Sequence, residues 1–485
     1  MSSIFQTKFV ALLRTFDQAE LRDFRQWLVS PWCSSNKNLV PLFEELRKHH
    51  PRFTSPHLTK ELLFERVLPN GKYSDRRLNN LMSEAFQQGL RFLTFRSFAE
   101  NRHEQQLTRA AVLRRKHLDN WFFKHVDKET QELEQQDIVS WDDRLLLYRL
   151  RQATYHHPTQ SPALQAGDPT IVKMGQELDL LYLLEKAVII EEKRSRSNIY
   201  RDEDHRIEAD VQRWLNASEE ISHPAIQLYQ MRFTAATPLQ PAAYQALRDA
   251  FVERFPHLNE REQKLHLIYL LNDTMRLIKR GKLDVTATLP LYKMGLQAKL
   301  LLHEGQLTRN TFTSIVVASN TKGDFDFTHH FIEHYTQYVD ATIAADCHRW
   351  GKAHTAYWSM NLEHCIALLN QREFDTPHFQ FIARVLHTQA YFDLYLQDDS
   401  YEEYLLNYLR SYERWLSRNK NYSKGFKQSF LHFVNKCRQL AVQYASTPFE
   451  ASEVEKLLDE SANIQALNWL KRKQQEILEM RSADN

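Results

Sequence analysis

Glycine occurs only 10 times in these 485 residues. That is about 2%, where an average chain has about 7%. Only glycine takes positive φ at little steric cost, so tight hairpins, bulges and phosphate-cradling loops depend on it. The two closest glycines are Gly167 and Gly175. A G-x-G-x-x-G fingerprint, a G-x-x-x-x-G-K-[ST] loop and a G-x-S-x-G elbow are therefore all excluded by spacing alone. Turn-rich all-β folds are disfavoured for the same reason.

The remaining pattern is helical. Asp17 with Glu20 three residues on has the form of a capping box, and Leu21, Phe24 and Leu28 follow as one stripe. Leu42, Phe43 and Leu46 form another stripe, stopped by Pro51. In "YSDRRLNNLMSEAFQQGLRFL", Ser74 is a cap and Asp75 suits the positive end of the helix dipole. Residues 100–136 read as one long polar helix. "HHPTQSPALQAGDPT" holds three prolines and a glycine and reads as a linker. No segment alternates with period two between turn residues, so almost no strand is expected.

The expected architecture is all-α: an N-terminal helical domain followed by an α-solenoid of stacked helical hairpins. The divisions are a basic N-terminal domain over 1–98, long connecting helices over 99–157, a linker over 158–169, the helical-repeat region over 170–445 and a C-terminal helix over 446–485.

Cys33, Cys347, Cys365 and Cys437 lie far apart and form no C-x-x-C, which suits buried thiols in a reducing compartment. Lys8 and Arg14 interrupt the apolar residues near the start, unlike a signal peptide. No apolar run approaches the ~18 residues of a spanning helix. A cytoplasmic location without membrane contact is expected. Net charge is +2. Residues 1–120 hold 20 Lys and Arg against 12 Asp and Glu, an excess of eight, which leaves the remainder at 2 − 8 = −6. The N-terminal part therefore has a bias toward anionic partners.

Residues 308–417, with turns such as "NTKGDFD" and "NQREFDT" between short helices, resemble tetratricopeptide-type helical repeats. The resemblance is to the architecture and extends over about 170–445. It implies stacked helix pairs that bury their apolar sides on one another and bind peptides or proteins on a concave face. The run from "SPWCSSNKNLVPLFEEL" to "LNNLMSEAFQQGLRFL" is similar to the start of a group of uncharacterised bacterial helical proteins, a likeness that implies no activity.

Three sets of residues are chemical candidates. Arg76, Arg77, Asn80 and Arg91 lie on the polar face of the helix after Ser74, with side chains suited to phosphates or base edges. Against that, Glu84 sits mid-face and would repel phosphate. His330-x-x-Glu333-His334 spells the H-x-x-E-H of inverted zinc peptidases, with both histidines on one helix face and Glu402 or Glu403 at a possible distance for a third ligand. Chance matches come easily among 22 histidines, so no metal is expected. Tyr408 and Tyr412, four residues apart, line either a core stripe or a binding groove. No complete catalytic motif stands out. The expectation is a non-enzymatic scaffold without cofactor that binds a protein or peptide through its helical repeats. The alternative is a nucleic-acid-binding regulator acting through the N-terminal domain.

Overall fold

The structure, a computed structural model, describes residues 4–33, 35–54, 58–69, 71–159, 168–197, 207–234, 240–419, 422–458 and 464–483. Helices follow one another along the chain, each packing mainly on its sequence neighbours. Among the described residues the one departure is a hairpin of two-residue strands, Leu302–His303 and Gln306–Leu307. Glu304 (φ 50°) and Gly305 (φ 78°) form its turn with positive φ at both positions, as a twisted two-residue hairpin requires. Among the described residues no helix is long and apolar enough to cross a membrane.

The chain divides into two compact units, 1–188 and 189–485, with the division inside the helix Thr170–Ser197. Residues 160–167 of the expected linker lie outside the described residues.

The first unit begins with helices Lys8–Leu13, Gln18–Val29, Leu39–Arg47, Lys60–Val67 and Asp75–Glu100. Both caps legible in the sequence form. Asp17 and Glu20 exchange hydrogen bonds of 2.7 and 2.9 Å in a capping box, and Ser74 Oγ accepts from Arg77 N–H at 3.3 Å. The core is aromatic at its centre. Phe24, fully buried, meets Phe9, Phe16, Phe43 and Phe92 with ring centroids 5.2–6.2 Å apart. Edge-to-face pairs of this kind add about 0.5–1.5 kcal/mol each beyond area burial.

The expected single helix over 100–136 is instead two, Arg102–Arg115 and Asp119–Glu134. His117 turns the chain at φ 57°. Leu118 N–H then reaches Leu113 O at 3.0 Å and His117 N–H reaches Arg114 O at 3.1 Å, the paired bonds of a Schellman helix end. Glycine usually marks such an end, and its absence hid this one. With the helix Trp141–Tyr155 these two enclose a separate small core of Ala110, Phe122, Val126, Leu133, Leu146, Leu147 and Leu150.

In the second unit, helices from Ile207–Ser218 to Leu467–Ala483 pack in succession. Its last part is tied together across the sequence. Trp469 Nε1 donates to Tyr357 Oη at 2.8 Å, and Tyr357 Oη donates to Asp393 Oδ2 at 2.6 Å. Lys473 Nζ lies 2.7 Å from Asp393 Oδ1. The C-terminal helix thereby supplies both an indole and a charge to a carboxylate that is almost fully buried.

Candidate functional site

The histidine pair of the peptidase-like motif is exposed on the helix Phe325–Tyr335, its two rings stacked 4.0 Å apart. His334 Nδ1 is 2.9 Å from the carbonyl of His330, a bond within the helix. Glu333 pairs instead with Lys352 at 2.8 Å and His348 at 3.4 Å on the helix Ala344–Trp358. Among the described residues no three His, Cys, Asp or Glu side chains converge as a metal would need. The arrangement is a surface ion-pair cluster.

Arg76, Arg77, Asn80 and Arg91 are all exposed on the helix Asp75–Glu100. None of the three arginines has an ion-pair partner among the described residues. Glu84, the acid expected to oppose a phosphate there, is half-buried and accepts from Asn36 Nδ2 at 2.7 Å.

The two tyrosines part company. Tyr412 is fully buried in the core of the second unit. Tyr408 is half-buried and lines a recess of about 330 Å³ formed by the helices Leu362–Asn370, Pro377–Gln397 and Glu402–Arg418. Gln380, Arg384 and His387 fall on one face of the middle helix and line it too. The loop before that helix is held down by the helix Ala344–Trp358. Arg349 stacks 3.8 Å over Phe374 and donates to the carbonyl of Arg372 at 2.7 Å, and Asp346 accepts from Thr376 N–H at 2.8 Å.

Arg384 is the central charge of this recess. Its guanidinium lies 4.4 Å over the Trp415 ring, and the Glu373 carboxylate approaches it only to 4.0 Å. Its fork is thus placed for a planar anion without being spent on an internal carboxylate. Burial, and then the positive charge of Arg384, push His387 down to a pKa of about 4. His387 is therefore neutral at pH 7 and a feeble general base. Burial raises the Tyr408 hydroxyl, which stays protonated as a donor. The recess as built offers hydrogen-bond donors, two cations in Arg372 and Arg384, and the carboxylate of Glu373.

A second concave region lies in the first unit. Two recesses, of about 520 and 280 Å³, lie between the helices Arg102–Arg115 and Trp141–Tyr155 and share Leu107 and Arg149 in their walls, so they form one groove. The two helices run in the same direction. At their N-terminal end the lining includes Glu100, Glu104 and Asp142, at their C-terminal end Arg114, Gln152 and His156, and Arg149 lies between, lining both recesses. Arg102 and His103, near the acidic end, are committed elsewhere. Arg102 bonds Glu129 at 3.0 Å and Glu132 at 2.9 Å, and His103 bonds Asp143 at 2.8 Å.

Sequence reasoning missed the buried charges altogether. Arg232 is almost fully buried between Glu191 Oε2 at 2.8 Å and Asp273 Oδ2 at 2.6 Å. These partners lie 41 residues from it on either side in sequence, and no local spacing connects them. The three remote cysteines are inert in this setting. Burial pushes Cys347 and Cys365 up to about 12 and Cys437 well above the ordinary thiol value, so none is a ready nucleophile at pH 7.

No family model, curated protein or solved structure matches the chain, and what stands is a mostly helical protein of many stacked helices.

Proposed function

We propose that the chain is a non-enzymatic helical scaffold, with the stacked hairpins of 170–445 read as a solenoid that binds an extended protein segment at the Tyr408 recess. The observation that carries this is Arg384, a guanidinium stacked on Trp415 at the floor of an open recess and only loosely paired. Tyr408 and Arg384 together suit a segment bearing an acidic side chain. The neutral, weakly basic His387 and the raised thiols favour recognition over group transfer. The four free cysteines fit a reducing compartment.

Panning a random peptide display on the whole chain tests the reading. Enriched peptides are expected to carry Asp or Glu and to lose at least tenfold in affinity against Arg384→Gln, with a smaller loss for Tyr408→Phe. Enrichment of peptides indifferent to both substitutions, or hydrolysis of the displayed peptides, would sink it.

Arg76, Arg77 and Arg91, exposed and without an ion-pair partner among the described residues, favour a second reading, in which the first unit binds nucleic acid. A mobility shift at low salt tests it. Retention of a duplex that weakens with salt and on Arg77→Glu is expected, and unshifted DNA and RNA would remove the reading.

A further inference from the structure

The groove between Arg102–Arg115 and Trp141–Tyr155 differs in kind from the Tyr408 recess. Beside its charged groups its lining combines three short side chains, Ala110, Ala111 and Ala153, with the larger Leu107, Leu145, Leu146 and Phe122. Short side chains let a helix axis approach to about 8–10 Å. The groove runs along a 14-residue helix, about 21 Å at 1.5 Å per residue, the length of four helical turns. Its two ends carry opposite charge.

Each end also complements the dipoles of its own helices, and that accounts for Glu104, Asp142 and Arg114, which lie in first and last turns. It does not account for Arg149, which sits mid-helix, beyond the reach of the terminal dipole. Nor does it explain why the basic end has no carboxylate in its lining. Arg149 meets Glu104 only at 3.7 Å, with both side chains about half exposed. Arg114 and Asp142 have no ion pair among the described residues.

We propose that this groove is the docking site for one amphipathic helix of a partner protein. The helix lies antiparallel to both walls, with acidic residues in its first turns and basic residues in its last. Charge complementarity fixes the direction. An antiparallel helix sets its N-terminal Asp or Glu against Arg114, Arg149 and His156, and its C-terminal Lys or Arg against Glu100, Glu104 and Asp142. The same side-chain charges suit that helix's own dipole, and its dipole opposes those of both walls. A parallel helix could match the groove's charges only by working against its own. Once seated, the helix completes a four-helix arrangement over the small core of Leu146, Leu150 and their neighbours.

The test uses the full chain and a panel of designed 16-residue amphipathic helices. In one set Glu fills the first two turns and Lys the last two; in the other the charges are exchanged on the same apolar stripes. The first set is expected to bind at least tenfold more tightly and to gain helix on binding. The double substitution Arg114→Glu and Arg149→Glu, at exposed positions, should abolish the preference while leaving the circular dichroism of the free protein unchanged. A photo-crosslinker at the peptide N-terminus should attach near residues 110–114 or 152–156. Equal affinity of the two sets, absence of saturable binding by any member, or crosslinks elsewhere would overturn the proposal. So would a 20-nucleotide strand whose salt-sensitive binding disappears with the double substitution while no helix binds. Because Arg384→Gln leaves this groove untouched, the inference stands or falls apart from the Tyr408 recess.

Discussion

His117, Lys299 and Met360 turn the chain at φ 57°, 57° and 61°. Each follows a helix end with the same pair of returning N–H bonds, and Gly281 and Gly323 close two further helices in the same way. A side chain in this left-handed region costs about 1–2 kcal/mol. His117→Gly, Lys299→Gly and Met360→Gly should therefore each raise the free energy of unfolding by roughly 1 kcal/mol, less whatever the freer unfolded chain gives back. Urea denaturation of the three single variants checks this, and unchanged midpoints would show that the turns carry no strain. Arg232 offers the opposite test. Its removal in Arg232→Ala leaves buried Glu191 and Asp273 with only Arg194 and Arg276, each at 3.2 Å, as countercharges, a loss of up to about 3 kcal/mol. That result is read from the same urea titrations. These positions also mark the limit of what the sequence discloses. Ser74 and Asp17 announce their caps because the hydrogen bond closes within three residues. His117 announces nothing, and the partners of Arg232 come from two other helices. Tyr408 and Tyr412 share a helix and a residue type, and only packing against neighbouring helices makes one a wall of the recess and the other core.

At the scale of the element, two glycines separate close packing from mere flexibility. A Cβ at Gly295 would stand 2.7 Å from Leu267 Cδ2 and 2.9 Å from Leu301 Cγ, so the helix Leu289–Gln297 approaches its neighbours closely there. Gly295→Ala should destabilise by about 1–3 kcal/mol through overpacking. Gly175, in the exposed face of Thr170–Ser197, has nothing within 4 Å of such a Cβ. Gly175→Ala should gain up to about 1 kcal/mol of helix propensity. Thermal melts of the pair check both signs at once. The amphipathic stripes gave the helices themselves, because a stripe is a local property. They could not give the groove between Arg102–Arg115 and Trp141–Tyr155, which exists only because the expected long helix bends back at His117.

For the molecule as a whole, acid is the sensitive variable. Burial holds His266 and His354 at about 3, and burial together with Arg384 holds His387 at about 4, all below the usual 6.5. The unfolded chain binds these protons first. Stability is therefore full above pH 6.5 and falls as pH drops from there toward 4, by up to roughly 1.4 kcal/mol per pH unit for each residue. Against a total of about 5–15 kcal/mol that is a substantial fraction, offset in part by buried Asp273 and Asp393, whose carboxyls burial raises above the usual range. Melting midpoints measured from pH 7.5 to 4.5 should drop steeply below 6.5, and a His266→Gln variant should show a shallower slope.

The bond from Trp469 to Tyr357 joins residues 112 positions apart, and Lys473 answers a charge on Asp393. During synthesis that carboxylate is made about 80 residues before the ammonium that neutralises it. At ~5–20 residues per second the nascent chain spends several seconds with this corner unlatched. The final assembly of the second unit thus waits for the ribosome to deliver Leu467–Ala483, and a bulky fusion placed just ahead of that helix would delay closure where one placed well upstream would not.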